Sequence, residues 1–186
     1  AAACVLALTL TACDQSSAFD AKKDITVISR EKGSGTRGAF IELFGIEQKD
    51  ANGNKVDRTS SEAQQTNSTS VVLTTVAGNK YAIGYISLGS LNSTVKALKI
   101  DGVEATAENV KNGSYKASRP FNVVYKGELD ELAKDFLGYI MSAEGQAVIE
   151  KAGYIASDAS AAPYSGSKPA GRITVGGSSS VTPVMN

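Results

Sequence analysis

Apolar residues in this chain fall into two alternating patterns, short runs rich in β-branched side chains and longer stretches with helical spacing. The first run, residues 25–29, predicts a buried strand. A Gly/Ser/Thr turn follows, after which Phe40, Leu43 and Phe44 recur at i, i+3 and i+4, so we expect an amphipathic helix there. Residues 47–67 are polar and predict a surface loop.

Beyond residue 67, the chain contains further segments with the helical and strand patterns and one segment with neither. Residues 157–171 are rich in Ala, Ser, Gly and Pro, which predicts a linker. Helices are predicted at residues 68–76, 106–112, 129–141 and 142–152. Further strands are predicted at residues 81–88, 95–100, 119–125 and 172–175, and the last of them runs into a second Gly/Ser turn.

The composition excludes several classes of function. Lys and Arg total 19, as do Asp and Glu, so the 186 residues carry no net charge and no broad basic field that would hold nucleic acid. Histidine is absent, which removes Ser-His and Cys-His catalysis and zinc sites that contain histidine. A Ser-Lys or carboxylate enzyme stays open, but no pattern points to one. We therefore predict a binding protein, not an enzyme, with no cofactor and no metal.

Both cysteines lie near the start of the chain. Residues 1–10 form an apolar run that is typical of the core of a secretory signal, and no Met or basic segment precedes it, so we expect a longer leader. The tetrapeptide that ends in Cys13 resembles a bacterial lipobox, which predicts cleavage before Cys13 and lipidation of its sulfur. The alternative is a signal without lipid. Residues 14–24 are polar and predict a tether.

The turn between the first strand and the first helix has the composition of an anion site. The first backbone N–H groups of a helix lack partners within the helix, and the helix dipole adds positive potential there. Gly33 and Gly35 allow the backbone to approach a ligand, and Ser34 and Thr36 add hydroxyl donors. Arg30 ends the strand and adds a full charge. The segment is suited to a phosphate-like oxyanion.

Each of these residues also has a purely structural interpretation. Ser34 would serve equally as the N-cap of an ordinary helix, and Arg30 would pair with Glu31 on the surface. The segment lacks the spacing of a P-loop and of a dinucleotide-binding motif. The second Gly/Ser turn, residues 177–180, has no charge beside it and is weak evidence alone. The Ser/Thr cluster at residues 66–70 favours helix capping over anion binding.

Several segments together resemble one family, the PstS-type phosphate-binding lipoproteins of phosphate ABC transporters. Four of them match the second lobe of that family in the family's order, whereas the fifth resembles the first strand and anion loop of the first lobe. The segments are DITVISREKGSGTRGAFIELF (24–44), NKYAIGYISLGSL (79–91), FNVVYKGEL (121–129), FLGYIMSAEGQAVIEKAGYI (136–155) and GRITVGGSSSVTP (171–183).

The resemblance implies an α/β fold of the type II periplasmic-binding-protein class, with a mixed sheet flanked by helices and most of the other lobe missing. Residues 25–156 would form the second lobe, and residues 172–186 would begin the first. Phosphate would be bound by residues from both loops, namely Arg30 as the charge, Gly33, Ser34, Gly35 and Thr36 from one, and Ser178, Ser179 and Ser180 from the other.

The family also implies partners and a location. The partners are inorganic phosphate and the permease subunits of an ABC transporter. The lipid on Cys13 would attach the chain to the extracytoplasmic face of the bacterial membrane. The alternatives are an interaction scaffold that keeps the lobe, a protein for another oxyanion, and an oxyanion-dependent hydrolase. With one lobe largely missing, we expect phosphate binding in the millimolar range or weaker.

The order of the lobes differs from the family's usual order. Two explanations fit this arrangement. One is a parent with tandem binding domains in which the first lobe of one copy is lost, which the linker-like residues 157–171 favour. The other is a permuted chain.

Overall fold

The structure is a computed structural model that describes residues 19–185. Its centre is a three-stranded sheet in the order β4-β1-β5, with both pairs parallel, and a separate antiparallel pair joins β2 to β3. The strands are β1 Thr26–Arg30, β2 Glu47–Lys49, β3 Lys55–Asp57, β4 Gln64–Thr66 and β5 Ala82–Gly84. The α/β class expected from the sequence is confirmed, and both strand pairs of the main sheet are parallel.

The described residues contain six α-helices. They are α1 Gly35–Leu43, α2 Thr69–Gly78, α3 Ala107–Lys111, α4 Glu131–Met141, α5 Ala143–Lys151 and α6 Thr182–Met185, with 3-10 turns at Leu88–Ser90 and Ser179–Val181. Side-chain caps begin several of them. Thr106 caps α3, Asp130 caps α4 and Ser142 caps α5, each by accepting a backbone N–H three residues on. The helices predicted for residues 68–152 are therefore confirmed.

The core lies where α2 packs on the sheet. Ile28 of β1 and Val72 of α2 are each only 2% exposed. In β5, a Cβ added at Gly84 would lie 2.9 Å from Cγ1 of Val72, so the helix rests directly on the strand because this residue is glycine. This packing brings the start of α2 beside the end of β1.

The prediction of a surface loop over residues 47–67 is wrong. The segment contains β2, β3 and β4, and β4 lies at an edge of the main sheet, where Ile28 pairs with Gln64 and Arg30 with Thr66. Gln64 and Gln65 are exposed. A polar edge strand is joined to its neighbour by backbone hydrogen bonds, so its side chains show no apolar alternation.

Three predicted strands are absent from the part of the chain that the structure describes. Residues 119–125 and 172–175 are irregular, and residues 95–100 contribute only an isolated bridge between Ile100 and Val103. A strand needs a neighbour for its backbone groups, and within residues 19–185 these apolar runs have none. The predicted strand at 81–88 is shortened to β5 for the same reason.

The predicted linker, residues 157–171, lies along α4 and α5. The carbonyl of Ala162 accepts a hydrogen bond from the N–H of Ala143 at 2.8 Å, and the hydroxyl of Tyr164 donates to Asp135 Oδ2 at 2.5 Å. These contacts attach the segment to the helices and lead the chain back toward the sheet. Across residues 19–185, the structure contains no helix with the length and apolar character of a membrane span.

Candidate functional site

The site begins where β1 ends. Ser34 adopts extended backbone angles and is the N-cap of α1, and its hydroxyl accepts the N–H of Arg37 at 3.3 Å. Gly33 has a φ of +90° and is exposed, so it makes the turn from strand to helix without steric cost. Both interpretations of Ser34 fit this geometry, since a capping hydroxyl still has a proton to donate.

Arg30 is the charged centre of the site and is 2% exposed. One edge of its guanidinium, Nε and Nη2, donates to the two carboxylate oxygens of Glu31 at 2.9 and 3.0 Å. On the other edge, Nη1 donates to Thr69 Oγ1 and Nη2 donates to Ser179 Oγ, both at 3.0 Å. The expected pair with Glu31 is therefore present, but Arg30 lies inside the protein and not on its surface.

The guanidinium of Arg30 also sets the charge state of its neighbour. Its hydrogen bonds to Glu31 lower the pKa of that carboxyl below 4.5, and the charge of nearby Arg37 acts in the same direction. Glu31 is therefore ionised at neutral pH. A buried cation without such a partner would be costly, so the carboxylate stabilises the position of Arg30.

The second Gly/Ser turn meets the first at this point. Ser179 Oγ lies 3.3 Å from Thr69 Oγ1, and the hydroxyls of Ser180 and Thr36 are in contact. Ser180 is fully buried. The residues come together although the two loops are separated by more than half of the chain. A Cβ built on Gly35 would lie 3.9 Å from the Cβ of Ser178, whereas a Cβ built on Gly33, which makes the turn, would meet nothing within 4 Å.

Thr69 is a functional candidate that the sequence did not single out. It is the first residue of α2, and its hydroxyl contacts both Arg30 and Ser179. The cluster at 66–70 favoured capping, but the N-cap residue Ser68 makes no side-chain cap and instead contacts Ser70. The sequence could have indicated Thr69, because α2 follows the parallel strand β4 and therefore begins at the same sheet edge as α1.

A second buried arginine supports the backbone of the site. Arg37 donates through Nε to Asp57 Oδ2 at 2.8 Å and through Nη1 to the carbonyl of Arg30 at 2.6 Å. Burial raises the pKa of Asp57, but hydrogen bonds from Thr59 and Arg37 outweigh it, so the net pKa is lowered. The β2–β3 pair, which carries Asp57, is thereby attached to the end of β1.

An aromatic pair supports the same backbone. The hydroxyl of Tyr85 accepts the N–H of Arg30 at 3.1 Å and lies 2.9 Å from Ser29 Oγ. Its ring stacks on Phe40 of α1, with centroids 4.0 Å apart. The end of β1 is held by α1 and by the segment after β5, which keeps Arg30 at a fixed position.

The arrangement is suited to binding a small oxyanion. The N-termini of α1 and α2, one buried guanidinium and hydroxyls from both Gly/Ser turns converge at the carboxyl edge of the parallel sheet. In the described residues, no group of three or more His, Cys, Asp or Glu is placed to hold a metal ion. Cys13, the predicted lipidation site, lies outside the described residues.

Comparison with known sequences places the chain in a family. Residues 6–144 match the model of the PBP superfamily domain. A phosphate-binding protein PstS 2 from Streptococcus agalactiae is 58% identical over 177 residues, which cover 95% of this chain and 60% of that protein. The chain spans about 60% of the length of this curated relative.

Solved structures give the same result for the fold. A phosphate-binding protein of a phosphate ABC transporter from Streptococcus pneumoniae TIGR4 has a TM-score of 0.72 and 47% identity, covering 88% of this chain and 63% of that one. A protein from Clostridium perfringens, described as a phosphate ABC transporter substrate-binding protein with bound phosphate, has a TM-score of 0.64 and 44% identity, covering 72% and 52%. This chain therefore belongs to the PBP superfamily, with a periplasmic-binding-protein-like fold similar to that of PstS proteins.

Proposed function

We propose that this chain is the phosphate-binding part of an extracytoplasmic solute-binding component of a phosphate ABC transporter. The observation that carries the proposal is the environment of Arg30, a buried guanidinium at the end of β1 with one edge facing the hydroxyls of Thr69, at the start of α2, and Ser179, in the second Gly/Ser turn. The names of the similar proteins support the choice of phosphate, and one of them was solved with phosphate bound.

The anion would take the edge of Arg30 that faces Thr69 and Ser179. Two phosphate oxygens would accept from Nη1 and Nη2 in place of the two hydroxyls, while Glu31 keeps the other edge. The hydroxyls of Thr69 and Ser179 would no longer accept hydrogen bonds from Arg30, so they would turn and donate to the same phosphate oxygens. The backbone N–H groups at the start of α1, with Ser34, Gly35 and Thr36, would complete the donor set on one side.

The residues of the second turn would form the opposite wall. Ser178, Ser179 and Ser180 lie at the start of a 3-10 turn, and Ser178 Oγ accepts the N–H of Ser180 at 3.2 Å. In this arrangement, Ser179 would donate to the anion, and Ser180 would support Thr36. We propose binding without turnover, since the similar proteins are named as binding proteins.

The remaining parts of the proposal concern partners and attachment. The permease subunits of the transporter would receive phosphate from this component. A lipid on Cys13 would attach it to the extracytoplasmic face of the membrane, and residues 14–24 would be the tether. A match along 95% of the chain to one relative indicates that the relative shares the order of segments, which favours the permuted chain over a deletion between tandem domains.

Calorimetric titration with inorganic phosphate tests the function. We expect weak binding, in the millimolar range, because charge-assisted hydrogen bonds contribute about 1.5–3 kcal/mol each and this chain supplies only some of those that a micromolar site of about 8 kcal/mol needs. Arg30→Ala should abolish the binding. Arg119→Ala is the matched control, because Arg119 is an exposed arginine paired with Glu42 away from the site.

Three outcomes would contradict the proposal or a part of it. Undiminished binding by Arg30→Ala would remove Arg30 from the site. Equal binding of sulfate and phosphate would indicate a general oxyanion site. If phosphate neither binds nor raises the melting temperature, the chain is a scaffold that keeps the fold.

A further inference from the structure

We propose that Tyr154 is a positioning residue that holds the Ser178–Ser180 turn against Arg30 before the anion arrives. The inference rests on the proposed function, because the turn forms one wall of the proposed phosphate site. Tyr154 comes from the end of α5, outside both Gly/Ser turns, and its hydroxyl donates a hydrogen bond to the carbonyl of Ser180. It would not touch the phosphate itself.

The end of α5 fixes the backbone of Tyr154. Gly153 has a φ of +84°, its N–H donates to the carbonyl of Glu150 at 2.9 Å, and the N–H of Tyr154 donates to the carbonyl of Ile149 at 3.1 Å. This pair of hydrogen bonds is the Schellman arrangement that ends a helix. Tyr154 therefore leaves α5 in a defined direction.

A glycine on another element fixes the ring. Gly89, in the 3-10 turn Leu88–Ser90, lies against the aromatic ring of Tyr154, and a Cβ built at Gly89 would be 2.3 Å from the ring carbon Cζ. No side chain other than hydrogen fits there without moving the tyrosine. Phe121 also packs against the ring in a T-shaped arrangement, with centroids 5.9 Å apart.

The hydroxyl of Tyr154 therefore reaches the base of the turn from a fixed position. Ser180 is fully buried, and its side chain contacts Thr36 while its carbonyl accepts from Tyr154. The neighbouring Ser179 accepts from Arg30 at 3.0 Å. The hydroxyl of Tyr154 thus anchors Ser180, which contacts Thr36 of α1 and is the neighbour of Ser179. The hydrogen bonds of the turn to Arg30, Thr69 and Thr36 involve side-chain hydroxyls, whereas Tyr154 binds the backbone of the turn.

Amide hydrogen exchange of the full chain without phosphate tests the role directly. Tyr154→Phe keeps the ring on Gly89 and removes only the hydroxyl, so exchange at the amides of Ser180 and Val181 should speed up roughly three- to tenfold, the effect of one net hydrogen bond. The urea midpoint should fall by no more than the loss of one hydrogen bond produces. Tyr115→Phe, which removes the hydroxyl of another half-buried tyrosine, is the control and should leave this exchange unaltered.

A second pair of variants acts on the ring instead of the hydroxyl. Gly89→Ala should displace Tyr154 and speed up the same two amides. Gly138→Ala is its control, because a Cβ at Gly138 in α4 meets nothing within 4 Å. Phosphate titration of Tyr154→Phe should give a dissociation constant higher than that of the unaltered chain by the same roughly three- to tenfold factor.

The outcomes separate this inference from the proposed function. Unchanged exchange at Ser180 and Val181 in Tyr154→Phe would overturn the role of Tyr154, as would faster exchange with an unchanged phosphate dissociation constant. If exchange speeds up as expected but the unaltered chain binds no phosphate, the anchoring of the turn stands and the proposed phosphate function fails.

Discussion

At the scale of single residues, the site depends on how one guanidinium divides its donors. Arg30 gives one edge to Glu31 and the other to Thr69 and Ser179. The sequence suggested two competing roles, an anion ligand and a partner of Glu31. The fork of donors in arginine accommodates both, because its two edges are separate bidentate faces. The salt bridge and the proposed anion site are therefore compatible.

Replacing Glu31 should change how stability depends on pH. The pKa of Glu31 is lower in the folded chain than its ordinary 4.5, so its ionised form stabilises the fold above that value, and this contribution is lost as pH falls through the folded pKa. Glu31→Gln should lower the free energy of unfolding at pH 7 and change it less at pH 3, as measured with urea.

The control for this prediction is Glu62→Gln. Glu62 is exposed, and its replacement should leave the free energy of unfolding unchanged at both pH 7 and pH 3. An equal loss at pH 7 and pH 3 for Glu31→Gln would mean that the carboxylate charge contributes nothing and that only the shape of the side chain matters.

At the scale of elements, the site depends on two helices that begin at one sheet edge. β1 lies between β4 and β5, and the parallel pairing makes α1 and α2 start side by side. The closeness of α2 to the sheet is set at Gly84 of β5, where any Cβ would meet Val72. Packing at that contact therefore controls where Thr69 stands relative to Arg30.

A methyl group at Gly84 should destabilise the chain. In Gly84→Ala the added Cβ would lie 2.9 Å from Val72 Cγ1 and 3.3 Å from Val76 Cγ2, so α2 must move away from the sheet. Overpacking of this kind costs about 1–3 kcal/mol, which a urea unfolding curve would show. Gly78→Ala is the control, because Gly78 lies in α2 and a Cβ there would meet nothing within 4 Å. Equal midpoints for the two variants would contradict the packing argument.

At the scale of the whole molecule, apolar surface is left uncovered. One run, which we call the 121–125 strip, contains the exposed residues Phe121, Val123, Val124 and Tyr125, with Val124 88% exposed. The sequence predicted a strand there, but the described residues supply no neighbouring strand. Exposed apolar patches of this kind promote association. We therefore expect the chain to self-associate through the strip at high concentration.

A charge in the 121–125 strip should reduce that association. Val124→Asp should lower the apparent mass in sedimentation at high concentration, while the free energy of unfolding changes by no more than about 0.5 kcal/mol, because the side chain is already in solvent. Ala77→Asp makes the same charge change on an exposed residue of α2 and should leave association unaltered. Equal masses for both variants would show that the strip is not the contact.

Sequence patterns predicted the helices better than the strands. The capped helices α3, α4 and α5 are local structures, so Thr106, Asp130 and Ser142 could be identified as cap residues from nearby sequence. Strands depend on a neighbour. The polar β4 was missed because only backbone pairing with β1 makes it a strand. The 121–125 strip was wrongly expected to be a strand because it is apolar, and within residues 19–185 it has no strand to pair with.

The sequence by itself determined the chemistry of the site and one helix start. A strand that ends in Arg30, followed by a Gly/Ser turn with Ser34 as N-cap, is a local arrangement that short-range geometry dictates. Only the tertiary structure decided that Arg30 is buried, that Thr69 joins it and that Ser179 meets it across the fold. Those contacts join residues distant along the chain, and strand order and helix packing, not local pattern, bring them together.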